Sequence, residues 1–162
     1  MSPAAYRVRP YAPSARAACL ALFDSNLPEF FAAHERDDFA RFLDEPGATI
    51  LVLETTGPEL IACGGYYIRD GSGKGGLAWG MVARGWHRRG VGRTLLHARL
   101  RALQTAGADV VTVRTSQHSR GFFEREGFEE VRVVRDGFAP GIDMIELRLQ
   151  TTFRNHDAFG MF

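Results

Sequence analysis

Residues His87–Arg93 read His-Arg-Arg-Gly-Val-Gly-Arg, between an extended run that ends at Val82 and an amphipathic segment that begins near Gly90. The two glycines allow the backbone to curl, so that successive N–H groups are exposed. The helix that follows contributes the positive end of its dipole, and the arginines add positive charge around it. The stretch therefore predicts a cradle for an anionic group such as a diphosphate.

The spacing of this stretch differs from that of the common nucleotide-binding loops. The chain contains no G-x-x-x-x-G-K-[ST] run, and no G-x-G-x-x-G segment opens a helix. The sequence therefore indicates a phosphate cradle of another kind.

Two segments of the chain resemble signatures of the acetyl-CoA-dependent N-acetyltransferase (GNAT) superfamily. The first signature is Q/R-x-x-G-x-G/A followed by a helix, and the chain matches it at every position but the first, where His87 stands. The second is an aromatic-aromatic-x-x-x-Gly-Phe element after the fifth strand, and Phe122–Phe128 reads Phe-Phe-Glu-Arg-Glu-Gly-Phe. Because both occur in the expected order, the chain is identified as similar to this superfamily.

The resemblance and the hydrophobic pattern together predict the fold. We expect a single α/β (α+β type) domain over residues 1–150, with a mixed, mostly antiparallel sheet of about seven strands and about four helices, followed by a tail over residues 151–162. The apolar and β-branched runs predict strands at residues 6–9, 49–54, 60–68, 76–82, 110–115, 129–135 and 143–149. The strand at 110–115 follows a helix and is expected to lie parallel to the strand before that helix. A loop is predicted at residues 137–142.

Composition limits the classes of function. A formal net charge of +1 argues against a dedicated nucleic-acid binder. No apolar run approaches the length that crosses a bilayer, so we expect a cytoplasmic protein without a membrane partner. Cys19 and Cys63 have neither redox-motif nor zinc spacing, so reduced thiols and no bound metal are expected, with a disulfide as the alternative. Arg99 and Arg101 are expected on a solvated helix face.

The resemblance also implies which residues bind acetyl-CoA. The pantetheine arm would pair with the backbone of Gly80, Met81 and Val82, and a backbone N–H near Met81 would polarise the thioester carbonyl. An ordinary buried strand is the alternative for these three residues. Ser116 and Phe123 stand where an Asn and a Tyr that contact the cofactor are common. The diphosphate would be held by the amides of Arg88, Arg89, Gly90, Val91, Gly92 and Arg93.

The chain departs from the family pattern where proton transfer is usually assigned. Phe123 has no hydroxyl to protonate the leaving thiolate, and the fourth and fifth strands carry no carboxylate. The candidate substitutes are Tyr67, His118 and Glu35, for which a core tyrosine, a surface histidine and a solvated helix acid are the alternatives. Either water and such a side chain complete the proton path, or positioning of a neutral amine contributes most of the catalysis.

By resemblance to the superfamily, the segment between the first two helices is expected to cover the acceptor site. Phe30, Phe31 and Glu35 are the candidates there, and closure of the core by the two aromatic rings is the alternative. The near-neutral charge favours a small amine, an amino acid or a peptide as acceptor. A second copy of the chain, in a homodimer, is a further candidate partner. The alternative function is a non-catalytic acyl-CoA-binding sensor, which the missing hydroxyl at Phe123 would suit.

Overall fold

Seven strands form one mixed sheet in the computed structural model, which describes residues 6–47, 49–69 and 71–151. The strands are β1 (Tyr6–Pro10), β2 (Thr49–Thr55), β3 (Leu60–Arg69), β4 (Lys74–Val82), β5 (Val110–Thr115), β6 (Glu129–Ala139) and β7 (Ile142–Gln150). The α-helices are α1 (Arg16–Ser25), α2 (Arg36–Asp44), α3 (Val91–Thr105) and α4 (Arg120–Arg125). Short 3-10 turns occupy Pro13–Ala15, Ala33–Glu35 and Arg84–Trp86.

The strand order in the sheet is β1-β2-β3-β4-β5-β7-β6. The pairing of β4 with β5 is parallel, and every other neighbouring pair is antiparallel. Helix α3 provides the crossover between β4 and β5, as β-branched residues directly after a helix indicate. The predicted fold class, strand number and helix number are confirmed.

Helices cover both faces of the sheet because each presents an apolar stripe. On one face, α3 buries Leu96, Leu100 and Leu103 against β4, β5 and β7. On the other, α1 and α2 bury Phe23 and Phe39 beside β2 and β3. Full burial of one such side chain stabilises the fold by about 1.5–3 kcal/mol.

The sheet opens between β4 and β5. The two strands pair only over Lys74–Leu77 and residues 110–113, and beyond Leu77 their backbones diverge. The β3–β4 register also shifts between Cys63 and Gly65, where Trp79 adopts a left-handed φ of 55°. Such a bulge increases the local twist and bends the strand. The divergence leaves one edge of the last residues of β4 without a strand partner, in a gap that we call the split.

The predicted loop at residues 137–142 is wrong. Strand β6 continues to Ala139 and β7 begins at Ile142, so only a two-residue turn separates them. A Cβ on Gly137 would lie 2.6 Å from the Cβ of Met144, so glycine is required for the two strands to approach this closely. The predicted tail lies outside the described residues after Thr151.

Within residues 6–47, 49–69 and 71–151, no helix combines the length and the hydropathy needed to span a membrane. The same ranges contain no cluster of three or more His, Cys, Asp or Glu side chains arranged to hold a metal ion.

Candidate active site

A cavity of about 690 Å³ occupies the split. Its walls come from the end of β4, the end of β5, the first half of α3 and the segment between α1 and α2. A volume of this size is typical of a site for a small organic ligand. The predicted site residues that line it are Phe30, Phe31, Glu35, Gly80, Met81, Val82, Arg88, Gly90, Gly92, Arg93, Ser116, His118 and Phe123.

The predicted anion cradle contributes Arg88, Gly90, Gly92 and Arg93 to the cavity wall. Arg88 and Gly90 both have left-handed backbone angles, with φ of 64° and 80°. Gly90 is the N-cap of α3, whose first turn carries no acidic residue. Within the described residues, the amides of residues 88–90 have no hydrogen-bond acceptor. Alternating backbone of this kind exposes N–H groups to an anion, and the helix dipole adds to the attraction.

Two cradle residues do not face the cavity. The guanidinium of Arg89 lies over the ring of Trp86, with Cζ 4.7 Å from the ring centre. The side chain of Val91 is buried in the core with 1% exposed. These two residues can contribute only their backbone to a ligand, whereas Arg88 and Arg93 also present side chains to the cavity.

The end of β4 is held by a residue that sequence reasoning missed. The buried amide of Asn26 donates to the carbonyls of Leu22 and Val82, at 2.9 Å each. His87 Nε2 lies 2.9 Å from the same Val82 carbonyl. Two donors therefore occupy this oxygen, and a ligand would pair with other backbone groups of β4. An isolated asparagine at a helix end gives no sequence signal for such a contact.

The end of β5 bears the second wall of the cavity. The Ser116 hydroxyl accepts the backbone N–H of His118 at 3.2 Å, and the Ser116 carbonyl accepts the amides of Ser119 and Arg120 at the start of α4. The ring of Phe123 is 9% exposed and packs edge-on against its aromatic neighbours. Ser116 therefore shapes the turn, and Phe123 presents an apolar surface to the cavity.

The two candidate acceptor-site phenylalanines differ in their surroundings. The ring of Phe30 lies edge-on to the rings of His87 and His118, with centres 5.2 and 5.8 Å apart. Because these histidines follow β4 and β5 respectively, Phe30 bridges the split. Phe31 stacks on Phe23 at 4.9 Å and belongs to the core on that side, as well as to the cavity wall.

Glu35 lies half-buried in the cavity wall. Its Oε1 accepts the backbone N–H of Ala32 at 2.9 Å, which fixes the side chain at the turn before α2. Burial raises the pKa of the Glu35 carboxyl, against the opposing effect of that hydrogen bond. A carboxylate with a raised pKa is a stronger base than an ordinary glutamate.

The structure places Tyr67 outside the cavity, contrary to its predicted role. Its side chain lies over Gly76 on the adjacent strand and is 45% exposed. A general acid must reach the proton that it transfers, so the position of Tyr67 does not suit proton transfer in the split.

The predicted solvated position of Arg99 is also wrong. Arg99 is 3% exposed and lines the cavity from α3. Its Nη1 donates to the carbonyl of Gly65 at 3.2 Å, and burial lowers the pKa of its guanidinium to about 10. The sequence signal was present, because position 99 lies between Leu95 and Leu103 on the apolar stripe of α3. Trp79, Phe122 and Arg125 are further lining residues that the sequence did not single out.

Comparison with known proteins places these features in context. The sequence model of the acetyltransferase (GNAT) family matches residues 19–128. A solved structure described as a GNAT-family acetyltransferase, from Desulfovibrio desulfuricans, has a TM-score of 0.78 and 23% sequence identity, covering 90% of this chain and 99% of that chain. A GCN5-related N-acetyltransferase from Kribbella flavida has a TM-score of 0.76 and 16% sequence identity, covering 93% of this chain and 100% of that chain.

The ribosomal-protein-S18-alanine N-acetyltransferase from Escherichia coli gives a TM-score of 0.75 at 16% identity, over 93% of this chain and 97% of that chain. At these identities the solved structures show a shared fold. No curated protein gave a significant match to the sequence.

Proposed function

The chain belongs to the acetyltransferase (GNAT) family, and we propose that it transfers an acetyl group directly from acetyl-CoA to the amine of a small molecule, amino acid or peptide. One observation carries the proposal: the amides of residues 88–90 have no acceptor within the described chain, and Arg88 and Gly90 line a cavity that lies between two diverging strands. A long ligand with an anionic group at one end and a reactive thioester at the other matches that arrangement.

The amides of residues 88–93 would hold the diphosphate of acetyl-CoA. Arg88 and Arg125 also line the cavity, and no ion pair within the described residues involves either of them. They would add charge for the remaining phosphate of the cofactor. The pantetheine arm would follow the unpaired edge of β4, with backbone groups of Gly80 and Met81 as partners, since the Val82 carbonyl is occupied.

The acceptor would enter from the side of α1 and α2. Phe30 bridges the split on that side, and Glu35 lies in the adjacent wall. The amine nitrogen attacks the thioester carbonyl, the C–S bond breaks, and the amine loses a proton while the thiolate gains one. We assign Glu35 or His118 to the removal of the amine proton. Phe123 cannot supply the thiolate proton, so water in the open cavity would deliver it.

A peptide is among the candidate acceptors. One structural neighbour is named for its action on the alanine of a ribosomal protein. Peptides therefore remain candidate acceptors beside small amines and free amino acids.

A thiol-release assay tests the function. Acetyl-CoA is incubated with the protein and a panel of amino acids, polyamines, aminoglycosides and short peptides, and free thiol is measured. We expect release that depends on one class of amine. Binding of acetyl-CoA without release on any amine would instead support the sensor.

A further inference from the structure

Arg99 is a buried cation that the fold leaves without an anion. Within the described chain its guanidinium donates one hydrogen bond, from Nη1 to the carbonyl of Gly65. Its Nε is buried and has no acceptor. A buried charge that lacks both a counter-ion and a full set of hydrogen bonds is costly in free energy, so such groups are rare without a ligand.

The neighbours of Arg99 do not neutralise it. The titratable group that acts on it is the thiol of Cys63. A hydrogen bond to Cys19 and burial raise the pKa of the Cys63 thiol, so that thiol is neutral at pH 7. The guanidinium, with its pKa of about 10, remains protonated. The site therefore holds an uncompensated positive charge.

Two glycines make room for the guanidinium at the cavity wall. A Cβ on Gly64 would lie 2.8 Å from Cζ of Arg99, and a Cβ on Gly80 would lie 2.8 Å from Nη2. Gly80 and Arg99 both line the cavity. The lack of a side chain at these two positions thus leaves room for the charged end of Arg99 at the split.

The phosphates of the cofactor do not account for this charge. Arg99 lies six residues beyond Arg93 on α3, which places it about 9 Å further along the helix axis. The cradle holds the anionic end of the cofactor at the start of that helix. Arg99 instead lies behind Gly80, beside the backbone assigned to the thioester end.

We propose that Arg99 forms an internal subsite for a substrate carboxylate, carried either on the acyl chain of the donor or on the acceptor amine. This proposal rests on the proposed function. The planar fork of a guanidinium matches a carboxylate, and a charge-assisted hydrogen bond is stronger than a neutral one. The uncompensated charge is what a carboxylate would satisfy, on the side of the guanidinium that faces Gly80. A purely structural bond to the Gly65 carbonyl would need only a neutral donor.

The experiment compares carboxylate-bearing and neutral ligands in two arms. In the donor arm, succinyl-CoA is titrated against butyryl-CoA by calorimetry, since both acyl groups have four carbons. In the acceptor arm, kcat/KM with acetyl-CoA is compared between amino acids and their α-amides. Both arms use wild type, Arg99→Met, Arg99→Lys and, as a matched control on the exposed face of the same helix, Arg101→Met. Circular dichroism checks that each variant folds.

We expect one arm to show a preference of about tenfold or more for the carboxylate in wild type. The preference should disappear in Arg99→Met, return in part in Arg99→Lys and persist in Arg101→Met. The arm that responds identifies whether donor or acceptor carries the group.

Absence of a carboxylate preference in both arms of wild type would overturn the subsite, as would a preference that persists in Arg99→Met. If acetyl-CoA still binds and releases thiol, the proposed function stands without the subsite. Failure of wild type to bind acetyl-CoA would contradict both the proposed function and the carboxylate subsite.

Discussion

At the scale of single residues, the cradle depends most on Gly90. Its φ of 80° is costly for a β-branched residue, although space for a side chain is open there. Gly90→Val should therefore weaken acetyl-CoA binding by at least tenfold, measured by calorimetric titration. Gly107→Val is the matched control, because Gly107 follows the other end of α3 with φ of 93° and equally open space. Equal loss of affinity in both variants would contradict a local role for Gly90.

Glu35 gives a prediction about pH. Because burial raises the pKa of the carboxyl, the folded protein binds this proton more tightly than an unfolded chain does. If Glu35 is the base, kcat/KM falls as pH falls through a value above the ordinary 4.5 of a glutamate. Glu35→Gln should lower kcat/KM by about 10²-fold and remove this acid limb.

The stability of this variant should not decrease at pH 7, since an amide oxygen can still accept from Ala32 and the cost of a buried carboxylate is removed. Asp37→Asn, which changes an exposed acid two residues away, serves as the control for the pH–rate profile. An unchanged acid limb in Glu35→Gln would exclude Glu35 as the base.

Arg99 gives a prediction about stability in the absence of ligand. Arg99→Met removes the buried charge and the orphaned donor, and loses one hydrogen bond. We expect the free energy of unfolding, from urea denaturation, to rise by about 1 kcal/mol or more. A marked loss of stability would show that the hydrogen bond to Gly65 stabilises the fold by more than the buried charge destabilises it. That result would contradict the description of the charge as uncompensated.

At the scale of elements, Asn26 connects the end of α1 to the end of β4. Asn26→Ala leaves buried carbonyls with fewer donors and should cost about 1–3 kcal/mol of stability. It should also raise KM for acetyl-CoA, because the chain runs from the end of β4 through the Arg84–Trp86 turn into the cradle. Ser25→Ala keeps the contact with Val82 and is the control, with thermal unfolding and steady-state kinetics as readouts. Wild-type values for Asn26→Ala in both assays would refute the connection.

The elements themselves were largely predictable, because periodicity and turn residues are local. The β-branched run at Val110–Thr115 after an amphipathic helix correctly predicted a parallel strand. The loop at residues 137–142 was mispredicted, since close packing of Gly137 against Met144 is a contact between strands that composition does not reveal.

Side-chain directions within elements were less predictable. Tyr67 was a candidate for the cavity and instead lies over Gly76, in a strand whose register with β4 shifts near Trp79. Arg99 was expected in solvent, although its place between Leu95 and Leu103 on α3 indicates burial. Most residues matched to family motifs line the cavity. A motif predicts which residues meet in three dimensions, whereas hydrophobic periodicity predicts only helices and strands.

At the scale of the whole molecule, the described residues form an open sheet from β1 to β6 in which β4 and β5 diverge beyond Leu77. The split between β4 and β5 connects the face covered by α3 to the face covered by α1 and α2. A donor held by the cradle and an acceptor entering near Phe30 would therefore meet between β4 and β5, where backbone donors of the fold are already in place.

A crystal structure of the protein with acetyl-CoA tests this arrangement most directly. We expect diphosphate oxygens within hydrogen-bond distance of the amides of residues 88–93, with the thioester in the split beside Gly80 and Met81. A diphosphate bound away from these amides, or a pantetheine arm that does not enter the split, would contradict the central claim.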